Sequence, residues 1–429
     1  MRKLTVKNFS VIKDAELEFG KITVLIGPQA SGKSLLCKLA YFLGRKVIDI
    51  AIDRVVNRFE YGFLDFEIAV QQEFVKWFPR GGWGSDNWSI IFSAEDYEVT
   101  ISAPSTPEPN ADAAVIFNES FKSAYQNRID KTIQHQQSGG FLIAPAFQSM
   151  AATEFFRTSG RGVFDRSIYI PVERSYSVDS IKGFNVARDE PDPIFSAFNP
   201  LFLFSLKTAS KGQRIPRYLK GTLRQEQNGW MFDFQDERFL PLSHLSSGSK
   251  ETLPILSVLD YFEDERRRSG NLQSEILRNL QSEILHGDRL YFFDDFTIEE
   301  PEASVFPQTQ YELVREFSAL ENEVDFQFHF TITTHSPYIL SSFNNLIKAS
   351  QVARANPAKA SEIDEKIIPK RYWTEESDFK AYAIDGNTGT LNSIMDRETG
   401  LIDGDYLDNV SSDIAEEFGQ LLEIQYGGQ

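Results

Sequence analysis

An eight-residue stretch near the start of the chain, Gly27-Pro28-Gln29-Ala30-Ser31-Gly32-Lys33-Ser34, restricts the fold more than any other. It has the G-x-x-x-x-G-K-[ST] pattern and lies between an apolar run, Ile22–Ile26, and a segment of helical character, Ser34–Leu43. Backbone N–H groups of such a loop wrap a di- or triphosphate, and the N-terminus of the following helix adds partial positive charge. Gly27 and Gly32 supply the turn. Lys33 can reach the β- and γ-phosphates, and the Ser34 hydroxyl can ligate Mg²⁺. The pattern predicts a nucleoside-triphosphate site in an α/β fold.

At 429 residues the chain has room for two or three domains, or for one large domain with an insertion. Its net charge of −18 argues against a protein coated in nucleic acid. One run of cations without an intervening acid, Lys207, Lys211, Arg214, Arg217, Lys220 and Arg224, fits either a solvated face or a contact for a partner or DNA. Arg266-Arg267-Arg268 follows Glu263-Asp264-Glu265 and reads as a helix face with local pairing. No apolar run reaches the roughly 18 residues that a membrane span needs. Met1–Phe9 reads as a strand and not as a signal peptide, and the single Cys37 excludes an intrachain disulfide. A cytoplasmic setting is expected.

Three short strands open the chain: Leu4–Phe9, Ala15–Phe19 and Ile22–Ile26. Residues 51–164 hold no nucleotide motif. They predict a helix over Leu64–Phe78, strands at Trp88–Phe92 and Tyr97–Ile101, a loop at Ser105–Asn110 and a helix over Ala114–Asn127. A strand at Ser167–Ile170 follows. A hairpin is expected from Gly221–Gln225 and Trp230–Phe234 around Asn228-Gly229. Residues 271–277 and 279–285 repeat one heptapeptide, which suggests a lengthened helix. The tail, Ser411–Ile424, has a helical apolar face.

Four further signals stand behind the loop. Leu245-Ser246-Ser247-Gly248-Ser249 precedes an apolar helix, Leu253–Phe262, and makes a second anion cradle. Two such cradles are hard to aim at one phosphate within a single lobe, whereas a second subunit can supply one. Next, Phe296-Thr297-Ile298-Glu299-Glu300-Pro301-Glu302 ends a strand in two acids. The first can hold the Mg²⁺ shell and the second can orient an attacking water. Asp294-Asp295 competes for those roles, because it also ends an apolar run. Phe326–Thr333 then runs as a strand into Thr334-His335-Ser336-Pro337, which puts His335 at the crevice beyond the strand ends. Last, Ile170-Pro171-Val172-Glu173-Arg174 leaves two readings open: a monitor of the nucleotide or a buried salt bridge.

Together these residues resemble the SMC/RecF/OLD-like branch of the ABC ATPases. Lys33 and Ser34 match its Walker A residues, Ser246 and Gly248 its signature, Glu299 and Glu300 its Walker B pair, and His335 its switch histidine. Leu4–Phe9 looks like its opening strand. The resemblance implies a P-loop ABC-type ATPase head of two lobes, 1–50 and 165–429, with an inserted α+β cap or lobe I extension at 51–164. It also implies a slow ATPase. ATP and Mg²⁺ would lie at a seam between two copies, held by Gly27, Gly32, Lys33 and Ser34 of one and closed by Ser246 and Gly248 of the other. Glu300 and His335 would be catalytic, with Ser34 and Glu299 on the metal. The pattern departs from the family in three ways. The Q-loop glutamine is not placed, with Gln148 or the 171–174 segment as candidates. The inserted region is too short and unpatterned for SMC arms. Asp403-Gly404-Asp405 reads as a solvated turn and not as a Toprim nuclease site. The expected role is a sensor or regulator of a separate, nuclease-type effector in anti-phage defence, acting as a homodimer or higher homo-oligomer. A DNA-repair or chromosome-maintenance ATPase and a non-hydrolysing ATP-bound scaffold are the alternatives.

Overall fold

The computed structural model describes residues 2–57, 62–104, 112–137, 166–181, 192–209, 221–226, 229–280, 293–323, 327–403, 416–417 and 420. Among them the frame is one 11-stranded sheet. Its strands are β1 (Arg2–Phe9), β2 (Ile12–Phe19), β3 (Ile22–Ile26), β4 (Gly84–Ala94), β5 (Tyr97–Ser102), β6 (Ala114–Phe117), β7 (Arg166–Ile170), β11 (Phe293–Glu299), β12 (Gln327–Thr334), β13 (Phe379–Asp385) and β14 (Thr390–Ser393). A small second sheet holds β8 (Gly221–Glu226), β9 (Gly229–Phe234) and β10 (Phe239–Pro241). The main helices are α1 (Lys33–Tyr41), α2 (Val47–Asn57), α3 (Phe63–Trp77), α4 (Glu119–Gln137), α5 (Ser175–Ser180), α6 (Pro193–Ala209), α7 (Ser247–Leu280), α8 (Pro307–Glu321) and α9 (Pro337–Ala355). None among the described residues is long and apolar enough to cross a membrane.

The large sheet runs β6-β5-β4-β1-β2-β14-β13-β3-β12-β11-β7. From β13 to β7 every pairing is parallel. From β6 to β2 every pairing is antiparallel. The sequence carries this division. Val24, Phe296, Ile298, Phe330 and Ile332 are fully buried, as strands covered on both faces require. The antiparallel strands alternate instead: β1 buries Leu4 and Val6 and turns Lys3, Thr5 and Lys7 outward.

Two hydrophobic cores result, and β3 lies between them. Ile22 and Val24 belong to the core under α6, α7, α8 and α9. Leu25 belongs to the core formed by β1, β2, β4–β6, α1, α3 and α4. The P-loop therefore springs from a strand that both cores grip, as they also grip β7 and β13.

The segment between the P-loop helix and β7 adds β4–β6 to the common sheet through the β1–β4 pairing. Its helix α3 buries Phe66, Val70 and Phe74, spaced four apart along one face. The expected helix over Ala114–Asn127 is corrected: Ala114–Phe117 is strand β6, and the helix starts at Glu119. The run Ala-Val-Ile-Phe suits a strand. Asn118 ends it, because its Oδ1 accepts from Glu98 N at 3.2 Å and from Phe121 N at 3.4 Å, the latter as a helix cap. The P-loop helix is also shorter than Ser34–Leu43 predicts. It turns π-helical over Phe42–Lys46 before α2 begins. The Ser105–Asn110 loop, the repeat copy beyond residue 280 and nearly all of the tail helix lie outside the described residues.

Phe66 is fully buried and packs on Phe63, Phe117, Phe121 and Tyr125. Phe66→Ala is expected to lower the unfolding free energy by about 3–5 kcal/mol, read from denaturant midpoints. A change within about 0.5 kcal/mol would mean that this aromatic cluster is not a working part of the core.

Candidate functional site

The loop after β3 is held open by backbone conformations that side chains resist. Gly27 (φ 157°), Ala30 (φ 58°) and Gly32 (φ 108°) all have positive φ. A Cβ on Gly27 would stand 2.7 Å from the Ile384 carbonyl oxygen, and one on Gly32 2.4 Å from Ile12 Cδ1. Lys33 opens α1, and its Nζ donates to the carbonyls of Gly27 and Pro28, each at 2.8 Å. Burial lowers the Lys33 pKa, while Glu300 first, then Glu302 and more weakly Glu299 oppose that shift by their charge. Ser34 is exposed on the first turn of α1.

Those carboxylates come from the end of β11. Strands β3, β12 and β11 are neighbours in parallel register, Leu25 against Thr333 and Thr333 against Glu299, so their C-terminal ends open on one crevice. Glu299 is buried. Its Oε1 accepts from the Tyr169 hydroxyl at 2.7 Å and its Oε2 from Val172 N at 3.2 Å. Glu300 sits at φ 41°, in the left-handed region, and its N–H donates to Thr333 O at 2.9 Å. Its Oε1 lies 3.1 Å from His335 Nε2. Glu302 closes the group: its Oε1 accepts from Thr334 Oγ1 at 2.8 Å and from His335 N at 2.5 Å. Glu302 Oε2 is buried without a hydrogen-bond partner. Burial raises the Glu302 pKa above its ordinary value, and the Glu300 charge adds to that.

One buried cation ties this turn to the rest of the fold. Arg174 is fully buried. Its Nη1 donates to Glu299 O at 2.6 Å and to Pro171 O at 3.1 Å, its Nη2 to Glu300 O at 2.8 Å, and its Nε to Glu251 O at 2.9 Å. The Glu251 carboxylate stands 3.3 Å away as counter-charge. Of the two readings open for Arg174, the structure has a buried, ion-paired side chain whose donors end on backbone carbonyls.

Ser246 and Gly248 form a second group. Ser246 caps α7: Ser249 N donates to its Oγ at 3.3 Å, and Lys250 N donates to its carbonyl at 2.9 Å. Gly248 lies against the turn that follows the acids, where a Cβ would be 2.8 Å from Ser304 O. Ser246 itself is exposed. Asp294 and Asp295 lie toward the other end of β11, Asp294 roughly 16 Å from Glu299 at about 3.3 Å per residue. Asp294 is fully buried between Arg166 and Arg266, and Asp295 pairs with Arg2 at 3.1 Å. Tyr169 and the orphaned oxygen of Glu302 are additions to the expected site. Glu302 is visible in the Glu-Glu-Pro-Glu string. Tyr169 depends on the β7–β11 register, Tyr169 against Thr297, which no local pattern encodes. Gln148, most of the 207–224 cation run and residues 404–405 lie outside the described residues.

The donor set fits a divalent ion beside a phosphate. The Ser34 hydroxyl, the Glu299 carboxylate and the orphaned Glu302 Oε2 are hard oxygen donors, and Mg²⁺ is commonly held by one or two carboxylates together with phosphate and water. Among the described residues no cluster of three or more His, Cys, Asp or Glu forms a metal cage of its own.

Residues 205–340 match the AAA ATPase domain. The matched stretch runs from α6 through Ser246, Gly248 and the β11 acids to His335. Among solved structures, the SMC head domain from Thermotoga maritima is 14% identical, over 79% of this chain and 90% of that one, with a TM-score of 0.33. The Smc head domain of Pyrococcus furiosus, bound to the C-terminal domain of ScpA, is 10% identical, over 92% and 96%, with a TM-score of 0.35. The recombination mediator protein RecF is 11% identical, over 91% and 97%, with a TM-score of 0.34. No curated protein matches the chain.

Two measurements probe this geometry. Arg174→Met removes this donor from the carbonyls of Glu299, Glu300 and Glu251 and the counter-charge from the Glu251 carboxylate, and is expected to cost about 3–5 kcal/mol in a denaturant titration. A neutral result would remove the clamp. Glu302 binds its proton more tightly folded than unfolded, so the stability it contributes is present below its ordinary value of 4.5 and is lost as pH rises through the raised value. Glu302→Gln should therefore gain stability relative to the parent as pH rises above 4.5. A gap that stays constant or closes would contradict the burial of this carboxyl.

Proposed function

We propose that the chain is an ATP-hydrolysing enzyme of the SMC/RecF-like ABC type, with the crevice at the ends of β3, β11 and β12 as its site. The convergence of Lys33, Glu299, Glu300, Glu302 and His335 on that crevice carries this reading. The match of residues 205–340 to an ATPase domain supports it.

On this reading the P-loop N–H groups and Lys33 hold the β- and γ-phosphates. Glu300 accepts a proton from water as the water oxygen bonds to the γ-phosphorus and the bridging oxygen leaves with ADP. Positive φ at Glu300, fixed by Thr333 and Arg174, aims its carboxylate at the crevice and at His335. His335 steadies that carboxylate and stands where the γ-phosphate would be sensed. Ser34 and Glu299 are the residues that would hold Mg²⁺, with Glu302 Oε2 as a further oxygen. When bound, Mg²⁺ supplies charge neutralisation on the phosphates. The carbonyls of Glu299 and Glu300 already occupy Arg174, which leaves the acids' side chains to do this work.

The exposed serine turn at Ser246–Gly248 is the natural partner for a second copy's triphosphate. Two heads would then close around ATP, and opening after hydrolysis would regulate a separate effector. A nuclease-type effector in anti-phage defence is the role we favour. We keep the division into a head (1–50 and 165–429) and a lobe I extension (51–164) as part of the proposal.

Lys33→Ala is expected to abolish ATP binding. Glu300→Gln is expected to keep binding, reduce turnover by about 10²–10⁴-fold and accumulate ATP-linked pairs in sedimentation. Parent turnover no higher than that of Lys33→Ala would overturn the enzymatic reading. Full turnover in Glu300→Gln would transfer the base role away from that residue.

A further inference from the structure

The crevice has a direction. The acids and His335 stand at the ends of β11 and β12, on one side of β3. On the other side β3 pairs with β13, Ile26 against Ala383. A triphosphate that points its γ-end at Glu300 leaves its nucleoside end on the β13 side of the P-loop. A cavity of about 560 Å³ opens there, lined by Gly27, Pro28 and Gln29 on the loop and by Asp385, Asn387 and Asn392 on the β13–β14 hairpin. We propose that this cavity is the nucleoside subsite, in which Asp385 takes the ribose hydroxyls and the amides of Asn387 and Asn392 meet the edge of the base. The inference rests on the reading of the P-loop as an ATP site.

The hairpin turn is fixed against both of its neighbours. Gly27 of the loop approaches β13 so closely that a Cβ there would sit 2.7 Å from the Ile384 carbonyl oxygen, and Gly386 lies over Pro28 and Ser31 at ordinary contact distance. Gly389, at φ 68°, accepts from Lys13 N at 2.8 Å and from Asp14 N at 3.3 Å, which ties the hairpin to the start of β2. The wall opposite the phosphate cradle is therefore built before a ligand arrives, and little ordering cost is left for binding.

The polar groups on that wall suit a nucleoside. Asp385 Oδ1 accepts from the backbone of Asn387 at 2.8 Å and of Thr388 at 3.4 Å. Those bonds, Asn387's first, hold the carboxyl below its usual range, so it is ionised at neutral pH. Both backbone bonds end on Oδ1, and the Thr388 side chain adds to the lowering. A carboxylate acceptor beside a strand end is a chemically suitable partner for a ribose hydroxyl. Asn392 is exposed, and among the described residues its amide makes only a 3.5 Å contact with Thr390 Oγ1, which leaves donors and an acceptor for a base. A negative charge here would be a poor neighbour for phosphate, which again favours the neutral end of the nucleotide.

Calorimetric titration with ATP, 2′,3′-dideoxy-ATP and inorganic tripolyphosphate tests the assignment on the full chain. Asp385→Asn keeps the oxygen that caps the turn and removes the charge. It should weaken ATP by about tenfold or more, leave tripolyphosphate unchanged and erase the parent's preference for ATP over the dideoxy analogue. Asn392→Ala should weaken both nucleotides relative to tripolyphosphate and keep the hydroxyl preference. Equal loss for all three ligands, or no loss for any, would overturn the subsite while leaving the ATP reading intact. A parent chain that binds none of the three would overturn both.

Discussion

A guanidinium with no access to water organises this molecule. Arg174 leaves β7, passes under the turn that ends β11, and donates to backbone oxygens on both acids and on the first turns of α7. A buried cation is costly unless its donors are met and a counter-charge stands near, and both conditions hold here. Because the bonds end on carbonyls, they specify where the chain goes and leave the carboxylates free. The left-handed Glu300 needs such support. A residue in that region costs on the order of 1–3 kcal/mol unless its surroundings over-determine it, and the Thr333 and Arg174 bonds are what over-determine it.

Around that anchor, acids crowd into one small volume. Glu299 satisfies its oxygens with a tyrosine hydroxyl and a backbone N–H, Glu302 satisfies one oxygen on the histidine loop, and Glu300 meets the histidine ring. Lys33 is the cation that faces them, and it is held on its own loop by two carbonyls. The result is a crevice with an excess of hard anionic oxygen at one end and a backbone N–H cradle at the other. A polyphosphate with a divalent cation complements that pattern of charge. The arginines that neutralise Asp294 lie at the far end of the same strand, so β11 keeps ion-paired acids at its start and the crevice acids at its end.

Much of this was legible because the chemistry is local. The P-loop, the serine turn at 246–249, the Glu-Glu-Pro-Glu string and Thr-His-Ser-Pro are short strings whose residues act within a few positions of one another. The β1, β3, β7 and β12 strands follow from runs of apolar or alternating residues. What sequence reading missed is non-local or ambiguous in period. Tyr169 reaches Glu299 only through the pairing of strands far apart in the chain. Ala114–Phe117 has a short apolar pattern that helix and strand share, and Asn118, the one local cue, is a cap that only makes sense once the break is placed. The β13–β14 hairpin gave no signal of function, because its residues acquire meaning only by lying beside the P-loop.

The placement of β3 has a mechanical corollary. Alternate side chains of this one short strand are embedded in different cores, so it works as a shared rail between two packed bodies. Interiors this dense do not shear gradually. The antiparallel and parallel halves are also joined through the β2–β14 and β14–β13 pairings, so rotation of one against the other loads both that seam and the strand from which the glycine loop hangs. The glycine loop therefore hangs from a strand whose position depends on both packed bodies, and a shift of either one reaches it.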